Sequence, residues 1–353
     1  MKKTITLLFI LLFLLVGCTE KKETLYILGS GDYIDVDLIK QFETEYDVNV
    51  ILDEVTSTKE LYTKIKSSTK DYDVLLSSDY MVEKLIDDNM LFEIDQSKLT
   101  NQPNYFEQLV ELHSIYDEES KYSVPYSWGT IGLMYDLSVE YQVLKNGWKV
   151  LFEETNGIYK VGMYDSSRDA VSSALLYLDL DPNTILESDL ALAEAVLKQF
   201  EYEVFGVDDL KSKVVSSELD VALVNSRDFF KQLYSTLGNE QEKTFGFFVP
   251  ENTNVWIENL VIPGTSQNTD LAHKFIDFMI NKNNAYTNVK YNKNCTVDKD
   301  VYRIMENPEE GMDGFINHPY YYPLNEGVKG FVYRYLGEDY NRKIDDILIN
   351  IKG

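Results

Sequence analysis

Cysteine, histidine and basic residues are all scarce in this chain. Two cysteines, Cys18 and Cys295, allow at most one disulfide in 353 residues, which excludes a disulfide-stapled scaffold. The three histidines, His113, His273 and His318, lie far apart without metal-like spacing. That leaves them surface or helix positions, and His273 falls inside a helical pattern. Lys and Arg number 33 against 59 Asp and Glu, a net charge of −26. Phosphate backbones are held by clustered Lys and Arg, so nucleic acid is excluded as a partner. Adhesion to an anionic bilayer through charge alone is disfavoured for the same reason. Catalytic signatures are missing as well. No Gly-x-x-x-x-Gly-Lys-Ser/Thr loop occurs, and Gly29-x-Gly31 lacks both the third glycine and the ribose acid of a dinucleotide fingerprint. No Gly-x-Ser-x-Gly elbow presents a nucleophile. Beyond the N-terminus no apolar run reaches the ~18 residues of a membrane span.

What remains is a globular composition, 44% hydrophobic and 26% charged, long enough for two domains of ~100–200 residues each. Acids are plentiful, and 26 Tyr, 17 Phe and 3 Trp bring aromatics to 13%. A negative field gathers cations. Aromatic faces attract ammonium groups. The composition therefore suits a protein that binds a small organic cation.

The N-terminus supplies an address. Met1-Lys2-Lys3 precedes an apolar run from Ile5 to Val16, the pattern of a secretory signal with its ~7–15 apolar residues. Its end, Leu15-Val16-Gly17-Cys18, resembles the bacterial lipobox, in which the Cys is acylated and becomes the mature N-terminus. Residues 1–17 are then a signal peptide and 18–24 a lipid-anchored tether. Several acyl chains on Cys18 make a stable anchor on the outer face of the cytoplasmic membrane. The alternative is an ordinary signal cleaved nearby, with Cys18 incidental. An acylated Cys18 leaves Cys295 without an intramolecular partner.

Along the mature chain, strands alternate with helices. Strand patterns lie at 24–28, 48–52, 73–76, 159–163, 219–224 and 255–262, and helical spacing follows most of them. This rhythm predicts a parallel α/β sheet, and the missing linker predicts two domains joined by more than one chain crossing. Ligands of open α/β sheets bind beyond the carboxyl ends of strands, where helix N-termini gather. Three turns qualify: Gly29 to Tyr33, Ser77 to Tyr80, and Tyr164 to Asp169. Taken singly, Asp79, Asp165 and Ser166 read best as helix caps. Three acidic, aromatic turns in one chain favour a shared cationic ligand. Tyr320-Tyr321-Tyr322, beside Pro319 and Pro323, reads as a packed loop rather than an iron site.

Longer motifs carry a resemblance. Leu25-Tyr26-Ile27-Leu28 followed by Tyr33 and Leu38-Ile39-Lys40-Gln41-Phe42, then Tyr72 to Tyr80, Val124 to Gly132, Asp165 to Asp169 and Trp256 to Pro263 occur in a recognisable order. The chain resembles the substrate-binding lipoproteins of spermidine/putrescine ABC transporters over nearly all of its mature length. That resemblance implies an α/β, two-lobed periplasmic-binding-protein-like fold, with a ligand cleft between lobes joined by crossing hinge segments. The lobes are expected at 25–131 with 259–300, and at 132–258 with 301–353. It implies a polyamine ligand, an ABC permease and its ATPase as partners, a monomer, and no cofactor, metal or catalytic residue. Glu258 and Asp169 match acids that pair with amines. Trp256, Tyr33, Tyr80 and Tyr291 match aromatic walls, and Ser78 a hydrogen-bonding position beside Asp79. Departures are equally specific: Ser30, Gly31 and Val224 stand where the family commonly has Trp, Thr and Trp. A receptor for another solute, such as iron or an aminophosphonate, is the alternative. A secreted glycosidase using Asp165 and Asp169 is a more distant one, and an adhesin or sensor of the same fold a third.

Overall fold

The computed structural model describes residues 22–67, 70–152, 158–236, 244–307 and 312–353. The signal sequence and Cys18 lie outside the described residues. Eleven strands occur among those described: β1 Thr24–Gly29, β2 Asn49–Glu54, β3 Val74–Ser78, β4 Leu91–Phe92, β5 Ser123–Asp136, β6 Val161–Tyr164, β7 Val204–Gly206, β8 Val221–Asn225, β9 Phe245–Phe248, β10 Asn252–Pro263 and β11 Lys329–Phe331. They hydrogen-bond in the order β2-β1-β3-β10-β5-β8-β6-β7, with β11 and β4 on β10 and β9 on β5.

The alternating strands and helices read from the sequence are present, but the sheet is mixed rather than parallel. β1 pairs parallel with β2 and β3, and β6 pairs parallel with β7 and β8. Between these two parallel groups, β10 runs antiparallel to both β3 and β5, and β5 runs antiparallel to β8. Periodicity missed the short strands β4, β7, β9 and β11 and one long strand, β5. All but its last residue are buried, so no period of two survives, and Pro125, Gly129 and Gly132 read as turn residues instead.

Two long strands, β10 next to β3 and β5 next to β8, join the two parallel groups through their own pairing. In β5, residues 123–130 pair with β10, and residues 131–136 pair with β8 and β9. In β10, Asn252 to Asn254 pair with β11, Val255 to Val261 with β5, and Ile262 and Pro263 with β4. The register of β5 on β10 slips between Glu258 and Asn259, which leaves Tyr126 as the extra residue of a bulge.

Three apolar clusters fill the molecule. One gathers Phe42, Leu260 and Phe275 around β1 and β3. A second gathers Leu133, Leu175 and Ile344, with the C-terminal helix Glu338–Lys352 packed on the helices Ser167–Tyr177 and Glu187–Lys198. The third lies under the shared strands, where Trp128, Ile257, Phe229 and Tyr321 meet. Tyr321 and Tyr322 are buried here, in accord with a packed loop. Cys295 is a buried free thiol beside the carbonyl of Tyr321. His113 and His273 are on helices, as expected, but are buried rather than at the surface. Each ring is wired into hydrogen bonds, His113 to Ser123 at 2.8 Å and His273 to the backbone of Asp95 at 2.9 Å.

Ile257 is fully buried under the joint, directly opposite Trp128 in the register. Ile257→Ala is expected to cost about 2–5 kcal/mol, the usual range for a core truncation that leaves a cavity, read from urea unfolding.

Candidate ligand cleft

The two shared strands turn one face toward a polar recess. Side chains alternate along a strand, so Trp256 and Glu258 share a face of β10, while Val255 and Ile257 point into the core. Register then assembles rows across three strands. Ser78 of β3 and Ser127 of β5 flank Glu258, and Gly129 stands opposite Trp256. Gly129 is required there: a Cβ would come within 2.2 Å of Cζ2 of Trp256.

Around this face stand the N-terminal ends of four helices or turns, each following a strand. After β1, the turn Gly31–Tyr33 brings the Tyr33 ring edge-on to Trp256 at 6.5 Å. Asn288 and Asn292, from the helix Lys282–Asn292, donate to the Tyr33 carbonyl at 2.9 and 3.2 Å and hold that turn. Gly31, where the family commonly has Thr, lies against the end of the Glu54 side chain, which a Cβ would have to displace.

After β3, the helix Asp79–Asp87 begins with a carboxyl that is 1% exposed. Asp79 Oδ1 accepts from the Tyr80 amide, while its Oδ2 and the hydroxyl of Ser78 have no hydrogen-bond partner. Ser78 therefore sits at the cap position without capping by its side chain. After β6, the helix Ser167–Tyr177 is capped by Ser166, and Asp169 accepts from the hydroxyl of Tyr333 at 2.9 Å. Arg168 stacks on Tyr333 and Tyr340, and its charge holds down the carboxyls of Asp79 and Asp169 against desolvation. Asp165 points elsewhere and pairs with Lys352. The pairing of Asp165 with Asp169 in one glycosidase site finds no support in this geometry.

The fourth turn follows β8 and was passed over in the sequence. Ser226 accepts from the amide of Thr130 at 3.0 Å. Arg227 lies over the Tyr33 ring at 4.7 Å and pairs with Asp32 at 3.5 Å, while Lys231 reaches the same carboxylate at 3.4 Å. Asp32 belongs to the β1 group and Arg227 to the β8 group, so this ion pair spans the recess. The strand–turn–helix rule that located the other three turns also fits Val224-Asn225-Ser226-Arg227. A basic residue there lay outside a search for acids and aromatics.

Burial dominates the electrostatics. The Glu258 carboxyl is pushed up to about 7, held back from rising further by the Arg227 guanidinium. Desolvation raises Asp79 well above the carboxylate range and raises Asp169 too. The phenol of Tyr80 is pushed up to about 12, by burial and to a lesser extent by Asp79 and Asp169. Glu258 also raises Tyr33, Asp79 and Tyr126, which places those groups in its field. Of the eight residues singled out from the sequence, Tyr33, Ser78, Asp79, Tyr80, Asp169, Trp256 and Glu258 stand on this face of the shared strands or in the turns around it. Tyr291 is 41% exposed, near Asp32 and Arg227. Two surface cavities, about 210 Å³ beside His113 and about 800 Å³ beside Trp148, are lined by none of these eight. Among the described residues no cluster of three potential ligands could hold a metal ion.

The sequence pattern of the bacterial extracellular solute-binding protein family matches residues 29–286. The chain belongs to that family. This solute-binding protein is 27% identical over 279 residues to spermidine/putrescine-binding periplasmic protein 1 of Haemophilus influenzae, covering 74% of this chain and 72% of that relative. It is 28% identical over 279 residues to a putrescine/cadaverine-binding protein of Pseudomonas aeruginosa, covering 74% and 76%. The solved structure of the spermidine/putrescine ABC transporter substrate-binding protein PotD from Streptococcus pneumoniae superposes with a TM-score of 0.77 at 25% identity, covering 94% of this chain and 99% of that one. The periplasmic-binding-protein-like α/β fold expected for the receptor is the fold it has.

Because Glu258 binds its proton more tightly folded than unfolded, it stabilises the unliganded receptor fully below pH ~4.5, the ordinary glutamate value. That contribution is lost as pH rises through about 7. Asp79 and Asp169 act with the same sign and remain in a Glu258→Gln variant. The stability difference between variant and parent is therefore expected to grow in the variant's favour between pH 4.5 and 7 and to level off above, followed by thermal unfolding across pH.

Proposed function

We propose that this protein is an extracytoplasmic receptor that captures a polyamine-type alkylamine and hands it to an ABC permease powered by an ATPase. The observation that carries this reading is Glu258: a carboxyl desolvated on the strand shared by both halves, with the unpartnered Oδ2 of Asp79 and the hydroxyl of Ser78 beside it. An ammonium entering that recess would meet acceptors that no protein group satisfies. Trp256, Tyr33 and Tyr80 would cover its methylenes and offer ring faces to the charge. Asp169, on the helix after β6, provides the acid of the opposite half. Tyr291 contributes at the rim. Relatives named for spermidine, putrescine and cadaverine binding agree with this chemistry.

Residues 25–131 with 259–300 form one lobe and 132–258 with 301–353 the other, with β5 and β10 as hinge strands. Closure over solute is a hinge motion in which ligand favours the closed state only by its differential affinity for it. The ion pair from Asp32 to Arg227 and Lys231 crosses the same gap and favours the closed arrangement. A lipid on Cys18 would keep the receptor beside its permease.

Titration of the chain from residue 19 onward with putrescine, cadaverine and spermidine should give saturable heats. At ~100 times the dissociation constant, solute should add ~2.7 kcal/mol of stability. Ferric citrate or aminoethylphosphonate binding in their place would replace the alkylamine by another solute. Glu258→Gln is expected to weaken the amine at least tenfold, since one partner of a buried charge pair is removed. In the parent, affinity should fall as pH drops below about 7, because the ammonium must displace the proton of Glu258. Cys18→Ser should shift the full-length protein from the membrane to the soluble fraction; continued membrane attachment would overturn the lipid anchor.

A further inference from the structure

The recess holds unpartnered donors as well as unpartnered acceptors. Nη1 of Arg227 and Nε1 of Trp256 are both buried without a hydrogen-bond partner. Trp256 is 8% exposed, and the Arg227 side chain 14%. Guanidinium and indole nitrogens donate and cannot accept. A donor left unpaired in a buried site costs free energy until an acceptor reaches it. A protonated polyamine brings no acceptor. Its nitrogens all carry N–H groups without a free lone pair, and the segments between them are methylenes. Such a ligand could satisfy Asp79 and Glu258 but would leave Arg227 and Trp256 as they are.

Charge around the recess is divided in the same way. In a chain of net charge −26, Arg227 and Lys231 converge on Asp32. Lys293 stands close by, buried against Tyr234 with its amine lowered to about 8 by desolvation and by Lys290 and Lys231. Arg227 also covers the face of Tyr33 that a second ammonium would otherwise use. Unsatisfied acceptors on Asp79 and Ser78 and unsatisfied donors on Arg227 and Trp256 thus face the same site, with Glu258 within the field of Arg227.

We propose that the solute of this receptor carries an ammonium at one end and a carbonyl acceptor at the other, as in an ω-amino carboxylate or an N-acylated diamine. The carbonyl oxygen accepts from Arg227 Nη1 and Trp256 Nε1, and the ammonium lies among Glu258, Asp79 and Ser78. Arg227 is then the residue that sets specificity, attracting an acceptor-bearing end and repelling a second ammonium. This narrows the alkylamine reading given above and rests on it.

The test uses calorimetric titration of the receptor with four probes of similar chain length: 4-aminobutyrate, N-acetylputrescine, putrescine and butylamine. At least one of the two carbonyl probes should bind roughly tenfold or more tightly than putrescine and butylamine, the scale of a charge-assisted hydrogen bond. Which of the two binds better separates a carboxylate from an amide as the source of the acceptor. Arg227→Ser and Trp256→Phe should each collapse that preference to under threefold. Trp256→Phe keeps the aromatic wall and removes only the donor, so the question stays answerable where Arg227→Ser does not fold. Putrescine binding as tightly as both carbonyl probes would overturn the inference while upholding the alkylamine reading. A carbonyl preference unmoved by either substitution would overturn it too. Silence with all four probes but saturation by spermidine would also sink the inference alone. Silence with spermidine as well would remove both.

Discussion

The cleft depends on keeping carboxyl groups out of water without pairing them inside the protein. A buried acid either meets a cation, accepts enough hydrogen bonds, or stays protonated. Here Glu258 lies on β10 and Asp79 begins the helix after the neighbouring strand β3, and desolvation lifts both. Arg227 partly offsets that cost for Glu258 through its field, while its nearest ion-pair partner is Asp32. The recess is therefore an unfinished electrostatic arrangement. In the function proposed above, an incoming ligand completes it and turns desolvation already incurred on folding into affinity.

That arrangement needs a rigid floor. The pairing of β5 with β10 supplies it, because register alone fixes Ser78, Glu258 and Ser127 in one row and Gly129 under Trp256. The bulge at Tyr126 changes the register where the row ends, and bulges of this kind re-aim side chains beside functional sites. Both parallel groups hang from the same two strands. The C-terminal arm adds a tie across the joint. Arg334 and Tyr335 bind Glu83 on the helix after β3, and the helix that follows packs on the opposite half.

Much of this was readable in the chain. Strand–turn–helix punctuation located β1, β3 and β6 together with the turns that carry Tyr33, Asp79 and Asp169, since apolar runs ended by small and acidic residues have few alternatives. The strand carrying Trp256 and Glu258 was legible from its apolar run, but their role came only from the resemblance to polyamine receptors. β5 was not legible as a strand: a segment buried on both faces loses its alternation. Tyr291 was assigned a wall through the resemblance alone, and its helix leaves it 41% exposed.

The sequence by itself determined the class of the molecule: an acidic, aromatic, α/β chain with an export signal pattern, short of basic residues and of catalytic motifs. Those properties are sums and local patterns, and they need no knowledge of which segments touch. Only the tertiary structure decided that the central strands run antiparallel between two parallel groups, and that Arg227 faces Asp32 and Tyr33 from the other half of the chain. These contacts join residues almost two hundred positions apart. Local sequence carries no trace of such a meeting, because register and strand order are selected by burial of the whole core rather than by any one segment.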